Sequence, residues 1–584
     1  MSRTASNSRQ PCCAASSKAA TSASNCSASP PTHDRSPDLS FDLGCSPTRH
    51  RNLTGGDDLI GPKHRNRLQS ASHLIPQESE HRVDIEHEIR TAAGVVRGRW
   101  EGPVAVFRGI RYAEPPVGPR RFAAPVRALR WDGVRDAREF GPRVPQASNA
   151  GSVMSSASGS TDDGSEDCLT LNVWSPDLGA AKLPVMVWIQ GGTYLENNTA
   201  NPHCDGAILA GAGVVVVSMN YRVGVDGFAR ITGAPDNRGI LDQIAALHWV
   251  QDNIAAFGGD PANVTVFGQS AGGAAIAALL VMPRAAGLFR RAISQSMPGT
   301  YFTPQLAAAI STTIAAELGV QATISDLVRL PPRALTDATT AVITKMPEFV
   351  DVWGPMALTP TPFSPVVDGD ALPCAPWSAV AGGAAREVDL LVGHTRDEFR
   401  LYTSRPGSEP SPARMTAAFD HLGPGADGDR LYRTAYPDAT RSQRFELLNT
   451  DWLFRMPSLH LADAAHAGGG PVWLYELAWS FNTEQGASHC LDLLLLFGTL
   501  SPDEVRAHRS AHPNAANEIT HIAQHMRTDW VNFATTGKPR WATYDPQTRT
   551  TRVYQAEPIT QPYPEEISRR IWSAHQFDTL DLAS

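Results

Sequence analysis

The sequence predicts an α/β protein built on one large, mostly parallel β-sheet, with helices on both faces and an antiparallel N-terminal edge. Two apolar runs, Leu183–Ile189 and Gly213–Asn220, lack the polar alternation of a half-exposed strand and suit parallel strands covered on both sides. Strand and helix patterns then alternate along the chain, as they do where helices connect parallel strands.

Length and composition narrow the possible functions. At 584 residues the chain is long for one domain, although a large α/β domain with insertions can hold it. The net charge of −8 gives no basic surface for nucleic acid, and no apolar run approaches the roughly eighteen residues of a membrane helix. The eight cysteines form no C-x-x-C pair and no zinc-like cluster, so we expect reduced thiols and no metal.

Residues 1–85 are predicted to be a disordered extension, and residues 86–584 to form the folded domain. From Ser2 to Asp38 there is no Leu, Ile, Val, Phe, Tyr or Trp, so this segment has nothing to bury. A faint resemblance to an organelle transit peptide and a misassigned start are the alternatives. The segment lacks a secretory signal's apolar core, so the expected location is cytoplasmic, with secretion left open.

The elements of the folded domain follow in order. Valine-rich runs between Gly94 and Phe122 alternate as hairpin strands, and Glu166–Trp174 reads as a further strand of this antiparallel edge. After the two apolar strands, a helix is predicted over Asn237–Phe257 and a strand from Asn263. The remaining predictions are a helix over Ala271–Leu280 and strands over Ala292–Ser296, Val388–Gly393 and Val472–Trp479.

The strongest chemical signal is the sequence G-x-S-x-G at Gly268–Gly272, between a predicted strand and a predicted helix. In this setting the serine, Ser270, occupies a tight turn that holds its hydroxyl clear of the backbone. Glycines flank it because a Cβ at either position would collide with the neighbouring strand or helix. The alternative is a small-residue turn at which a helix packs on a strand. We predict that Ser270 is a nucleophile.

A glycine pair in Gln190–Tyr194 follows the first apolar strand, about eighty residues before the serine. Backbone N–H groups there can face a ligand without obstruction, although an ordinary turn would have the same sequence. Together with the N–H group after the nucleophile, the loop suits an oxyanion hole. The predicted donors are Gly192, Thr193 and Ala271.

Candidates for an acid and a base are less distinctive. Asp397 and Glu398 follow a predicted strand, at the end where α/β proteins build their sites. His489 lies in a loop after the Val472–Trp479 strand, and its spacing alone carries little information. His521 and His525 are four residues apart but lack the glutamate of H-E-x-x-H, so they indicate one helix face and no metal site.

At this point the motifs resemble those of a known family, the type-B carboxylesterases of the α/β-hydrolase fold, which include the cholinesterases. The resemblance covers roughly residues 90 to 575 and looks like that of a bacterial-type member. The matching segments, in order, are FRGIRYAEPPVGPRRF, EDCLTLNVW, NYRVGVDGF, DNRGILDQ, the serine motif, LFRRAISQS, PVVDG, DWLFRMP and WVNFATTGKP.

The resemblance implies a serine carboxylesterase that acts on a small-molecule ester through a Ser-His-Glu triad and an acyl-enzyme. Residues 86–584 would be its catalytic domain, with Glu398 as the acid and His489 as the base. It places Gln269, Ser296 and Asp492 around the triad and implies no cofactor. A catalytically weak binding protein, and a hydrolase or transferase for thioesters, carbamates or amides, are the alternatives; the oligomeric state stays open.

Three departures from the family pattern bear on activity. The family's H-G-G-G-F is QGGTY here, and Thr193 can present its N–H group only if the loop avoids positive φ, which β-branched residues resist. The family's E-S-A becomes Gln269-Ser270-Ala271, which removes a charge that would favour cationic substrates such as choline esters. Cys168 lacks the upstream cysteine that pairs with it in secreted relatives, so we expect a free thiol.

Overall fold

A computed structural model describes residues 86–146, 166–180, 182–404 and 408–583, so the predicted disorder of residues 1–85 lies outside the described residues. The described strands form one sheet. They are β1 (Glu86–Arg90), β2 (Val95–Glu101), β3 (Val104–Arg111), β4 (Val134–Asp136), β5 (Thr170–Ser175), β6 (Leu183–Ile189), β7 (Val215–Met219), β8 (Gly259–Gln269), β9 (Arg291–Gln295), β10 (Asp389–Thr395), β11 (Val472–Leu477), β12 (Thr550–Tyr554) and β13 (Ile559–Pro562).

The helices connect and cover these strands. They are α1 (Ala207–Gly211), α2 (Gly224–Phe228), α3 (Arg238–Asn253), α4 (Ala271–Leu279), α5 (Pro304–Ala316), α6 (Ile324–Leu327), α7 (Pro332–Lys345), α8 (Val350–Trp353), α9 (Pro376–Ala381), α10 (Arg400–Thr403), α11 (Pro412–Leu422), α12 (Gly428–Ala435), α13 (Arg441–Thr450), α14 (Met456–Ala467), α15 (Leu491–Phe497), α16 (Pro502–Ala507), α17 (Ala515–Thr536) and α18 (Glu566–Ile571). A π-helical turn, Asp451–Arg455, joins α13 to α14. Short 3₁₀ turns cover Gly118–Arg120, Pro202–Cys204, Ile254–Phe257, Pro283–Ala285, Met346–Phe349 and Gly354–Leu358.

The sheet has the predicted character. Its order is β1-β2-β3-β5-β7-β6-β8-β9-β10-β11-β12-β13, with β4 beside β2. From β7 to β12 every neighbouring pair is parallel, whereas the pairs from β1 to β7 are antiparallel. Neither β12 nor β13 was predicted from the sequence, and β13 pairs antiparallel with β12 at the far edge. The predicted helix over Asn237–Phe257 is α3 followed by a 3₁₀ turn.

Both faces of the sheet are buried. In β6, Val185, Val187 and Ile189 belong to one apolar cluster, whereas Met186 and Trp188 belong to a second. Because successive side chains of a strand point to opposite faces, the two clusters lie on opposite sides of the sheet. This explains why the strand reads as a continuous apolar run, and it confirms the prediction of cover on both faces.

A buried ion pair fixes the loop after β7 to helix α3. Two guanidinium nitrogens of Arg222 lie 2.7 and 2.8 Å from the Asp242 carboxylate, and the Arg222 N–H group donates to the same carboxylate at 3.0 Å. Both side chains are almost fully buried.

As predicted, Cys168 is a free, buried thiol. None of the helices in the described ranges has the length and apolar character needed to cross a membrane.

Candidate active site

Ser270 occupies the sharp turn between β8 and α4. Its φ of 59° and ψ of −127° lie in a sparsely populated region, and its N–H group donates to the Gln295 carbonyl at 2.9 Å. A Cβ at Gly268 would lie 2.6 Å from the Ile189 carbonyl oxygen, and one at Gly272 would lie 2.0 Å from the same atom. The steric interpretation of the two glycines is therefore confirmed.

Glu398 and His489 form a short buried hydrogen bond. Glu398 follows β10, its Oε1 accepts the Thr395 N–H at 2.8 Å, and its Oε2 lies 2.5 Å from His489 Nδ1. Burial alone would raise the pKa of Glu398, but the charge and hydrogen bond of His489 outweigh burial and lower that pKa below its usual value. The carboxylate is thus ionised and holds one nitrogen of the imidazole.

Asp397 ties the loop that carries His489 to the turn that carries Glu398. The Asp397 N–H group donates to the Ala487 carbonyl at 2.9 Å, and the Ala487 N–H group donates to Asp397 Oδ2 at 2.8 Å. The His489 N–H group reaches the Glu398 carbonyl at 3.3 Å. Sequence reasoning noted Asp397 only as the partner of Glu398 in an acidic pair and missed this role.

The other contacts of the His489 ring come from Gln269 and Phe454. The Gln269 amide nitrogen lies 3.1 Å from Nε2 and 3.4 Å from Nδ1, and the Phe454 ring centre lies 4.3 Å from the imidazole centre. In the described part of the chain, no hydrogen bond joins Ser270 Oγ to His489. In related chemistry such bonds often tighten only when substrate is bound.

The predicted oxyanion loop packs against the serine turn. A Cβ at Gly191 would lie 2.6 Å from the Gln269 carbonyl oxygen and 3.0 Å from Ser270 Cβ. Within the described ranges, the N–H groups of Gly192, Thr193 and Ala271 donate to no protein acceptor. Ala271 begins helix α4, where the N–H groups have no partner inside the helix. Three donors are therefore free beside the serine.

The loop does not avoid positive φ at Thr193, which was the condition expected from the sequence for presenting the N–H group. Thr193 has a φ of 54° and Tyr194 a φ of 59°. Two hydrogen bonds hold this backbone: Thr361 Oγ1 donates to the Thr193 carbonyl at 2.7 Å, and the Gly224 N–H group donates to the Tyr194 carbonyl at 2.7 Å. The loop thus holds a β-branched residue in the left-handed region, and its N–H group has no acceptor in the described part of the chain.

Ser296 and Asp492 lie around the dyad but do not bond the imidazole. The Ser296 hydroxyl adds a smaller contribution that lowers the pKa of Glu398. Asp492 is fully buried, which raises its pKa, and its Oδ2 accepts bonds from Gln295 and Tyr475, both at 2.9 Å. Among the described residues, the Asp492 carboxylate thus binds Gln295 and Tyr475 and makes no hydrogen bond to the His489 ring.

A pocket opens above the serine, and all of the described residues that line it are uncharged. The lining residues are Thr193, Tyr194, Ser270, Ala271, Pro298, Thr300, Thr359, Pro360, Thr361, Tyr402, Leu453 and Phe454. Leu453 and Phe454 come from the π-helical turn, whose wider winding places two consecutive side chains at the pocket. Sequence reasoning recognised this segment as the motif DWLFRMP but did not assign its residues to the pocket.

Comparison with known proteins identifies related esterases. The sequence profile of the Carboxylesterase family matches residues 85–563. Para-nitrobenzyl esterase of Bacillus subtilis is 36% identical over 83% of this chain and 98% of its own length. Fumonisin B1 esterase of Sphingopyxis macrogoltabida is 34% identical over 77% and 82%, respectively. The solved structure titled thermophylic PNB esterase is 35% identical, with a TM-score of 0.73 over 83% of this chain and 99% of that one.

Proposed function

The chain belongs to the carboxylesterase family and is a carboxylic ester hydrolase, and we propose that it acts through a Ser270–His489–Glu398 triad and a covalent acyl-enzyme. The observation that carries the proposal is the 2.5 Å contact between Glu398 and His489 beside the serine turn. That contact leaves Nε2 as the nitrogen available to the hydroxyl. It also favours the tautomer whose Nε2 can accept a proton.

In the first step, Ser270 Oγ attacks the ester carbonyl while His489 Nε2 takes the hydroxyl proton. The carbonyl oxygen becomes an oxyanion that the N–H groups of Gly192, Thr193 and Ala271 would stabilise. The imidazolium then gives its proton to the departing alcohol, and the acyl group remains on Ser270. The ionised Glu398 stabilises the imidazolium throughout this step.

In the second step, water attacks the acyl-enzyme with His489 as the base. The proton that His489 takes from water returns to Ser270 as the carboxylic acid leaves. Both steps use the same oxyanion donors, which stay fixed because they belong to the backbone. No step needs a metal or an organic cofactor.

The substrate we propose is an uncharged small-molecule ester. The lining of the pocket is apolar or carries hydroxyl groups, and Gln269 provides no negative charge beside the serine. A cationic alcohol such as choline would therefore find no counter-charge among the described lining residues. A neutral aryl or alkyl ester would lose less hydration on entering such a pocket.

The test is hydrolysis of p-nitrophenyl esters from acetate to laurate, with wild type, Ser270→Ala and the exposed control Ser325→Ala. We expect Ser270→Ala to lose nearly all turnover and Ser325→Ala to keep it. A burst of p-nitrophenol, equal in amount to the enzyme, would support the acyl-enzyme. Turnover of thioesters and anilides with the same acyl group tests the alternative that the enzyme acts on acyl compounds other than esters. Turnover that persists in Ser270→Ala would refute the triad.

A further inference from the structure

Gln269 has a contact with the histidine ring that the proposed mechanism does not use. The side chain is fully buried, and its amide nitrogen is almost equally distant from the two ring nitrogens, at 3.1 and 3.4 Å. An amide aimed along the in-plane lone pair of Nε2 would lie much farther from Nδ1. The amide therefore packs over the face of the imidazole and leaves the Nε2 lone pair in the ring plane open to Ser270.

The other end of the amide is held by the residue that follows the histidine. Cys490 Sγ lies 3.5 Å from Gln269 Oε1, at a distance suited to a weak S–H bond. Burial raises the pKa of the Cys490 thiol well above its usual value, so the thiol keeps the proton that it donates. This bond fixes which end of the amide meets the ring.

We propose that Gln269 is a positioning residue that packs its uncharged amide on the His489 ring and thereby extends ester hydrolysis to lower pH than a glutamate would allow. The inference rests on the proposed function. A carboxylate in the same position would stabilise the imidazolium and leave less neutral base at a given pH. A neutral amide holds the ring orientation without that effect.

The other titratable groups near the ring cannot produce the difference expected between glutamine and glutamate at position 269. Glu398 binds Nδ1, whereas Asp492 and Cys490 approach from the start of α15 and Tyr475 binds Asp492 from β11. His394 faces Glu398 from β10, and burial lowers the pKa of His394 to about 4, so it is neutral near pH 7. All of these groups are the same in wild type and in a variant at position 269.

The test compares the pH dependence of kcat/KM on a neutral p-nitrophenyl ester for wild type, Gln269→Glu and Gln269→Met. We expect Gln269→Glu to shift the midpoint of the acid limb upward by about one to three pH units, as an opposite charge at this distance does. Above that limb its kcat/KM should return to within about tenfold of wild type. If the midpoint of Gln269→Glu stays within about 0.3 pH units of the wild-type midpoint, which is the precision of such profiles, the inference is refuted.

Gln269→Met is the matched variant in case the buried carboxylate prevents folding. Methionine has a similar volume but replaces the amide oxygen that accepts from Cys490 with a much weaker thioether acceptor, so the ring loses its fixed partner. We expect kcat to fall roughly tenfold with KM unchanged, because small misplacement of a catalytic group is costly. An unchanged kcat in Gln269→Met would overturn the positioning role. Turnover independent of Ser270 would refute the proposed function instead, so the two failures can be told apart.

Discussion

Replacing Thr193 by glycine tests whether the departure from the family loop impairs the proposed oxyanion hole. The φ of 54° at Thr193 costs a β-branched residue roughly 1–2 kcal/mol, which glycine would not pay. Glycine loses about 0.5–1 kcal/mol through the greater freedom of the unfolded chain. The substitution also removes the bond from Thr193 Oγ1 to the Gly192 carbonyl, worth about 0.5–1.5 kcal/mol. These terms nearly cancel, so the free energy of unfolding should change by less than about 1 kcal/mol.

The effect on catalysis follows from the backbone. Among the described residues the Thr193 N–H group has no acceptor, and the bond from Thr361 to the Thr193 carbonyl holds the peptide in place whatever the side chain. We therefore expect kcat for Thr193→Gly to stay within about tenfold of wild type, since the donor is unchanged. Thr193→Ser and Thr193→Ala, which keep a Cβ, should fall in the same range.

The assay is steady-state hydrolysis of the preferred p-nitrophenyl ester, with urea unfolding monitored in parallel for each variant. A rise in kcat of about a hundredfold or more in Thr193→Gly would contradict this reasoning. That result would mean that threonine misplaces one donor, because a single oxyanion donor contributes two to three orders of magnitude. It would also identify the QGGTY loop as a brake on the enzyme.

Three further predictions concern the histidine, the core and acid stability. Phe454→Leu should lower kcat about two- to tenfold, whereas Phe454→Tyr should retain it, because only an aromatic ring keeps the ring contact with His489. Equal kcat values in the two variants would show that this contact does not affect catalysis. Asp242→Asn should lower the free energy of unfolding, measured in urea, by roughly 3–5 kcal/mol, because it leaves Arg222 buried without its counter-charge. The control Asp337→Asn, in an exposed ion pair, should change it by under about 0.5 kcal/mol. Similar losses in the two variants would refute the role of burial. Burial lowers the pKa of His460 and of His575 to about 4, so the unfolded chain takes up protons first and the free energy of unfolding falls as pH drops from about 6.5 to about 4. The double variant His460→Gln/His575→Gln should lose less stability between pH 7 and 4.5, by about 1–3 kcal/mol after allowance for partial exposure, and an unchanged slope in urea titrations would refute this.

The central strands could be predicted because burial on both faces leaves a pattern that few other structures share. Leu183–Ile189 is one continuous apolar run in the sequence and is strand β6 in the structure, with the same bounds. Strand β13 gave no such signal. Its four residues are mostly exposed and end in a proline, so neither apolar alternation nor β-propensity distinguishes them from a loop.

Some residues of the candidate site could likewise be predicted from local sequence, whereas others could not. Local sterics identify Ser270, since the collisions of a Cβ at Gly268 or Gly272 depend on the adjacent strand and turn. The pairing of Glu398 with His489 joins loops 91 residues apart, and no local pattern encodes such a distance. The family resemblance indicated both residues, whereas residue spacing alone did not. Phe454 was missed because its approach to the imidazole depends on a π-helical turn inside a helical sequence.

The two departures from the family pattern at this site should have different consequences, because they act through different atoms. Position 193 would serve the reaction through a backbone N–H group, which every residue except proline possesses, so its side chain can vary while neighbouring contacts hold the peptide. Position 269 acts through its side chain, which lies on the imidazole itself. A change of charge there alters the balance between neutral and protonated histidine without moving any catalytic atom. Substitutions of Thr193 should therefore leave the pH profile of kcat/KM nearly unchanged, whereas the residue at position 269 should determine the midpoint of its acid limb.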